Sequence, residues 1–453
     1  MTYVKRDYKN RSFWLESLGE VAPNPSLSGE KKTDVAIIGG GYTGLSTGYH
    51  LKTYDKGIEV TLLEAEICGY GASGRNGGFN MSLFGLTPSI TKFRFGLERG
   101  KQARRFMEEA VTYLASFIKE NEIDCDYEGS GYLLVATNKA QVKRLLHEIE
   151  VAQEMDFKGV EVWERDKLEE EYRTDKFLLG WFEPQCGILH PAKWARALKE
   201  ITEKAGVNIF EYSPVLEFEK RKDAPDGYTF ILRTPEGRLF AKRIVFATNA
   251  YSILFPHLYK YQTPAFTRIV MTEPLSDEQM ESIGWNNRAG IEDSRDFIHY
   301  YRLTKDNRIV IGGRDVGVTY GKNLEKDQDR KNFEELKKYL LWVFPQLEGI
   351  KFTHEWGGPV SITLDMAPAI GFVGKDKSAL FALGYIGHGV SATFNTGRTL
   401  AELILEMKTS RTDLFFVGRK IIPFPPEPFR FVLSHAIRGY MRLEDKFKYG
   451  EKF

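Results

Sequence analysis

Cysteine is scarce: Cys68, Cys125 and Cys186 are the only three in 453 residues, and no CxxC occurs. An odd, sparse set excludes a disulfide framework and a zinc ribbon and fits a reducing compartment. No run of about 18 apolar residues exists, so no transmembrane segment is expected. The start, MTYVKRDYKNRSFW, lacks an apolar core, so no signal peptide is expected and a cytoplasmic location follows. Charge of one sign is missing too: 63 Lys+Arg against 62 Asp+Glu leave +1. Nucleic-acid binding needs a basic face to displace counterions, so it is excluded as a bulk property. The eight histidines are scattered, which leaves no metal-spaced cluster and no context for a Ser/His/Asp triad. Internal repeats and low-complexity tracts are absent.

What remains is an ordinary globular composition, 42% hydrophobic and 28% charged, with a raised aromatic share of 13%. At roughly 150 residues per domain, two or three packed units are expected. Residues 1–33 read as a polar arm. Asp34–Ile38 is a short apolar run of the buried parallel-strand type, followed by helical spacing over Leu45–Thr53 and a second strand at Glu59–Glu64. Helices are predicted over 97–122, 139–155, 191–204, 326–344 and from 389 to about 407. Strands are predicted at Gly131–Thr137, in a meander at 215–242 turning at Pro235-Glu236-Gly237, at Arg243–Ala250, and in a hairpin over 297–312. Residues 69–96 read as irregular and glycine-rich.

The loop between the first strand and helix is Gly39-Gly-Gly41-Tyr42-Thr43-Gly44, a GxGxxG. Gly39 permits the tight turn. Gly41 lets backbone approach a pyrophosphate on the free N–H groups of the helix start, and Gly44 lets helix and strand pack closely. Glu64, with Ala65 beside it, lies 20 residues after Gly44 at the end of the second strand, where a carboxylate binds both hydroxyls of an adenosine ribose. FAD and NAD share this fingerprint. The meander leading into Ala247-Thr248, and the run Gly69-Tyr-Gly-Ala72-Ser73-Gly-Arg75-Asn76-Gly77-Gly78, favour FAD, because so many glycines bring backbone against something flat or anionic.

With Gly39–Gly44, Glu64, Ala72–Gly78, Ala247–Asn249 and Gly384-Tyr-Ile-Gly387-His388-Gly389 in place, the chain resembles the D-amino-acid-oxidase-like superfamily of FAD oxidoreductases. The Rossmann motif is shared widely; the ASGRNGG and GHG pair is much more specific. The arm, the ASGRNGG loop and the Pro423-Phe-Pro-Pro426 tail most resemble the γ-glutamylputrescine-oxidase-like branch. The resemblance implies α/β plus α+β architecture: a Rossmann-like FAD-binding domain (1–95, 185–250 and 355–410) interleaved with an antiparallel-sheet substrate domain (96–184 and 251–354). The tail, 411–453, is expected to pack on the body, the alternative being a membrane-surface or partner-binding helix at Phe429–Arg442. The cofactor contacts implied are the glycine-loop residues, Glu64, Ala65, Ala72–Gly78, Val215, Ala247, Thr248 and Gly387 to Val390.

The same resemblance implies roles at the substrate. His388 is read as a polar or cationic group near the flavin, against the alternative of a loop histidine bonded to backbone. Arg302 is read as a bidentate holder of a substrate carboxylate, against a strand arginine paired to an acid. Tyr301 is placed beside it, although Tyr300 and Tyr301 must face opposite ways. A lysine that sarcosine oxidases carry after the GHG is replaced by Val390-Ser391. The first loop carries Arg75-Asn76 where covalent members have histidine, and no cysteine follows Cys186, so FAD is expected to be non-covalent. The implied reaction oxidises a C–N bond of an amine or amino acid, with hydride to flavin N5, imine hydrolysis and reoxidation by O2 to H2O2. The alternatives are a secondary-amine or D-amino-acid dehydrogenase using an electron carrier, a non-catalytic flavin protein and an NAD-dependent dehydrogenase.

Overall fold

The computed structural model describes residues 5–447. The segment Asp34–Ile38 ends the ten-residue strand Gly29–Ile38, at the centre of the first sheet. Its order is Ala369–Val373, Ala379–Leu383, Gly237–Phe246, Gly29–Ile38, Val60–Leu63 and Asn208–Phe210. The four pairings from Ala379–Leu383 to Asn208–Phe210 are all parallel. Ile37 pairs with Leu62 on one side and Val245 on the other, so the central strand is covered by apolar neighbours. The meander lies on the long strand's outer part: Phe230–Arg233 runs antiparallel to it, and Glu217–Lys220 antiparallel to Phe230–Arg233.

Two helices cover one face. Tyr42–Tyr54 starts directly after the glycine loop, and Gly389–Ile404 lies against it. Contact is close at one point: a Cβ on Gly397 would stand 2.4 Å from Ser46. Ser46 Oγ also donates to the carbonyl of Phe394 at 2.6 Å. Both helices therefore begin at the same end of the parallel sheet.

The second sheet has eight strands in the order Phe352–Ile362, Thr263–Thr272, Ile309–Val318, His299–Leu303, Gly290–Asp293, Tyr132–Ala136, Leu179–Glu183 and Glu161–Trp163. It is antiparallel except where Gly290–Asp293 runs parallel to Tyr132–Ala136. Strand Phe352–Ile362 pairs along its length with Thr263–Thr272, so a boundary at 354/355 divides a strand of this sheet. Residues 69–96 are more ordered than their glycines suggest, with a helix at Pro88–Phe95.

The last helix, Phe429–Phe447, is joined to the body by polar groups. Arg438 grips Asp315 at 2.7 and 2.8 Å, and Asp445 accepts the N–H groups of Asp296 and Phe297. Phe429, Val432, Tyr440 and Leu443 are exposed. The helix itself is thus held by polar groups, while the earlier part of the tail packs on the body through Phe415 and Phe416 against Phe84 and Phe106. Residues 448–453 of the tail and 1–4 of the arm lie outside the described residues.

Candidate active site

The glycine loop is built by close approach. Gly39 has φ +107°, and a Cβ there would lie 2.6 Å from the carbonyl oxygen of Ala247. Gly41 is the N-cap of Tyr42–Tyr54 and offers no side-chain cap; Ser73 Oγ accepts the Tyr42 N–H at 3.1 Å, which leaves the N–H groups of Thr43 and Gly44 for an incoming ligand. Gly44 lies beneath the loop: a Cβ there would stand 2.0 Å from the oxygen of Gly39. Glu64 reaches back from the second strand and accepts the N–H of Gly40 at 2.6 Å and of Glu66 at 2.9 Å. Burial pushes its carboxyl up to about 7.

These residues open into a cavity of about 500 Å³. Gly39, Gly41, Tyr42, Thr43, Glu64 and Ala65 form one wall, and Ala72, Ser73 and Asn76 another. Val215, Ala247 and Thr248 close its side, and Gly387, Gly389 and Val390 its far end. The far end is the start of Gly389–Ile404, which also lacks a side-chain cap. A hydrogen bond between Thr43 and Tyr385 at 3.1 Å ties the two helix starts together. Sequence reasoning did not find Arg6, Tyr70, Tyr251 and Leu324, which also line the cavity. Tyr70 lies in the glycine-rich run but was not singled out; the others come from the arm and from separate loops with no local motif.

The second sheet reaches this cavity through Val360. Val360, Thr267, Tyr300 and Leu134 sit inside strands yet remain half-exposed. Tyr300 pairs with Gly312 on one side and Glu292 on the other. Gly312 makes room for its phenol, since a Cβ there would meet the hydroxyl at 2.4 Å. Loops cover the same region: Gly384 and Ile386 donate to Ser361, and Ser391 Oγ donates to the carbonyl of Met81.

Comparison with known proteins decides the family. Residues 34–403 match the FAD dependent oxidoreductase family, DAO. The chain is 32% identical to gamma-glutamylputrescine oxidoreductase of Escherichia coli (strain K12), over 91% of this chain and 93% of that protein. The fold is that of glycine oxidase from Geobacillus kaustophilus, with a TM-score of 0.72 at 20% identity, covering 86% and 100% of the two chains. L-proline dehydrogenase from P. horikoshii superposes with a TM-score of 0.71 at 21% identity, covering 91% and 99%. The chain belongs to the FAD dependent oxidoreductase (DAO) family.

The donor set fits the cofactor of that family. A carboxylate stands at one end of the cavity, and two helix starts, neither capped by its own N-cap side chain and each with a positive dipole end, face into it. Cys68 is not part of it. Its sulfur lies under the loop, where a Cβ on Gly40 would be 2.7 Å away, and burial pushes its thiol well up.

Several sequence-level readings of this oxidoreductase are corrected by the structure. Arg75 does not line the cavity; its guanidinium lies over the Tyr70 ring and donates to the Tyr70 carbonyl, Asp327 and the Tyr251 hydroxyl. Gly77 and Gly78 pass behind the wall, under Tyr300 and the Leu189 carbonyl respectively. The His388 ring lies off the cavity wall between two lining glycines. Burial pulls it down to about 4, so at pH 7 it is neutral, the polar and not the cationic form of that reading. Tyr301 points into the core against Trp285 and Tyr339, because alternation sends Tyr300 to the opposite face.

Arg302 is the largest correction. Its side chain is buried, with Nε donating to Gly77 O at 2.7 Å, Nη2 to Leu189 O at 2.8 Å and Nη1 to Leu303 O at 3.2 Å. It bolts the ASGRNGG loop to the second sheet and has no free fork for a carboxylate. Arg302→Met strands three carbonyls, so a stability loss of about 2–4 kcal/mol is expected. Denaturant titration checks this; a substrate clamp would instead raise KM with the midpoint unchanged.

Proposed function

We propose that this enzyme oxidises the C–N bond of an amine of the γ-glutamylputrescine type, with O2 as electron acceptor. The near-full-length similarity to gamma-glutamylputrescine oxidoreductase is the observation that favours this substrate class. The cofactor, when bound, supplies the hydride acceptor and passes the electrons to O2 as H2O2. The chain's own residues bind and orient. Glu64 would hold the ribose hydroxyls, and the N–H groups after Gly41 the diphosphate. The N–H groups of Gly387 to Val390 would face the pyrimidine end of the ring, where negative charge grows. Val360, Thr267, Tyr300 and Leu134 would bound the substrate beside it and exclude water.

Binding is proposed to be non-covalent, since no cysteine or histidine side chain faces the cavity among its lining residues. The division of labour follows the two sheets: the parallel one with the cofactor, the larger one with the substrate. A cytoplasmic setting agrees with three free, buried cysteines.

An oxygen electrode with a peroxide assay tests the reading. γ-Glutamylputrescine should drive O2 uptake with equimolar H2O2, while glycine, sarcosine and D-alanine should not. Turnover only with an artificial electron carrier would overturn the oxidase assignment. Turnover with glycine alone would overturn the substrate class.

A further inference from the structure

Glu292 is a buried carboxylate with an unusual lack of company. It sits in strand Gly290–Asp293 of the second sheet, directly opposite Tyr300. Among the described residues its one hydrogen bond comes from Tyr132 Oη, at 2.8 Å to Oε2. No lysine, arginine or histidine forms an ion pair with it there. Its neighbour Asp293 points to the other face and is fully engaged, by His299 at 2.7 Å and Arg295 at 3.1 Å. A buried carboxylate with no cation is costly to keep unless a ligand supplies one.

Its neighbours lead from the sheet to the back of the cofactor cavity, beside the Phe79 ring that packs on Tyr300. Tyr300, its partner across the strands, abuts Gly77, next to the cavity-lining Asn76. Leu134, its partner on the other side, is half-exposed on the same face. The titratable groups facing Glu292 are Tyr132 and Tyr300 from the flanking strands. Glu183, one strand further on, is already held by Arg104 at 2.8 Å. Arg302, on the Tyr300 strand, is spent on backbone carbonyls.

We propose that Glu292 is the site that receives the ammonium group of the substrate, so that this enzyme selects its substrate by a cation and not by a carboxylate. The inference rests on the amine-oxidation reading and narrows it. A chain amine such as the putrescine end of γ-glutamylputrescine presents nitrogen alone to Glu292. An α-amino acid brings its carboxylate beside that nitrogen, against Glu292, and Arg302 is not free to balance it. Burial raises the Glu292 carboxyl to about 7, above its usual 4.5. Amine binding therefore strengthens as pH rises through about 7, where the carboxylate forms while the amine, of pKa about 10, is still cationic.

Anaerobic single-turnover reduction of the FAD-loaded enzyme by γ-glutamylputrescine tests this, because it separates the Kd from the limiting rate. Glu292→Gln should weaken Kd at pH 8 at least about tenfold and remove its dependence on pH near 7, with flavin content and melting temperature unchanged. Unchanged Kd and an unchanged pH limb would overturn the inference and leave amine oxidation standing. If Glu292→Gln does not fold, Tyr132→Phe decides. Losing the one donor to the carboxylate among the described residues should move the limb to higher pH, and an unmoved limb overturns the proposal. Failure of the unaltered enzyme to be reduced by any amine would bring down the amine reading and this site with it.

Discussion

Gly44→Val strips the protein of FAD and destabilises it. The added Cβ would stand 2.0 Å from the carbonyl oxygen of Gly39 and 3.2 Å from Cγ2 of Ile37. Neither neighbour can retreat. Gly39 N–H is bonded to Leu63 O at 2.9 Å, and the adjoining Ile38 carbonyl accepts Ala247 N–H at 2.9 Å, so the loop is pinned from both flanking strands. The helix must instead lift away from the sheet, which takes its N–H groups out of line with the cavity. Overpacking of this kind costs about 3 kcal/mol. The check is the ratio of flavin to protein after desalting, with a thermal melt. Flavin content should fall at least about tenfold; a fully loaded, normally melting variant would show that the loop is not the cofactor cradle.

Glu64→Ala is expected to weaken FAD binding by about 10²–10³-fold, the worth of two hydrogen bonds to a charged acceptor. The pH dependence carries the same information. In the FAD-free protein, burial raises the Glu64 carboxyl from 4.5 to about 7. A carboxyl whose folded value lies above its unfolded value binds more protons in the native state. The FAD-free protein therefore loses stability as pH rises from about 4.5 to about 7. Ribose hydroxyls donate to the ionised form, so FAD affinity should climb over that same interval and level off above it. Fluorescence titration of the apoprotein across pH 5–9 reads both effects. An affinity flat with pH in the unaltered protein would place the ribose elsewhere.

The cofactor half of this enzyme was largely readable, and the reason is physical. A dinucleotide is held by backbone, and backbone can approach only where glycine leaves space, so Gly39, Gly41, Gly44 and Gly387 advertise the site in one dimension. Glu64 is readable because the length of a βαβ unit fixes where the second strand ends. The substrate half is held by side chains from strands that meet only in three dimensions. Arg302 looked like a ligand holder because its strand was placed correctly. What it bonds, however, was set by Gly77 and Leu189, residues 225 and 113 positions away in sequence. Glu292 carried no local signal: its strand is four residues long, and its partners Tyr300 and Leu134 come from other strands. Tyr301 was assigned to the wrong face although alternation already required Tyr300 and Arg302 to share one.

The most direct test of the account is an absorbance spectrum of the purified protein before and after anaerobic addition of γ-glutamylputrescine. The account predicts flavin bands that bleach with this amine, stay intact with glycine, and return on admission of air. Flavin bands that no amine bleaches would contradict it.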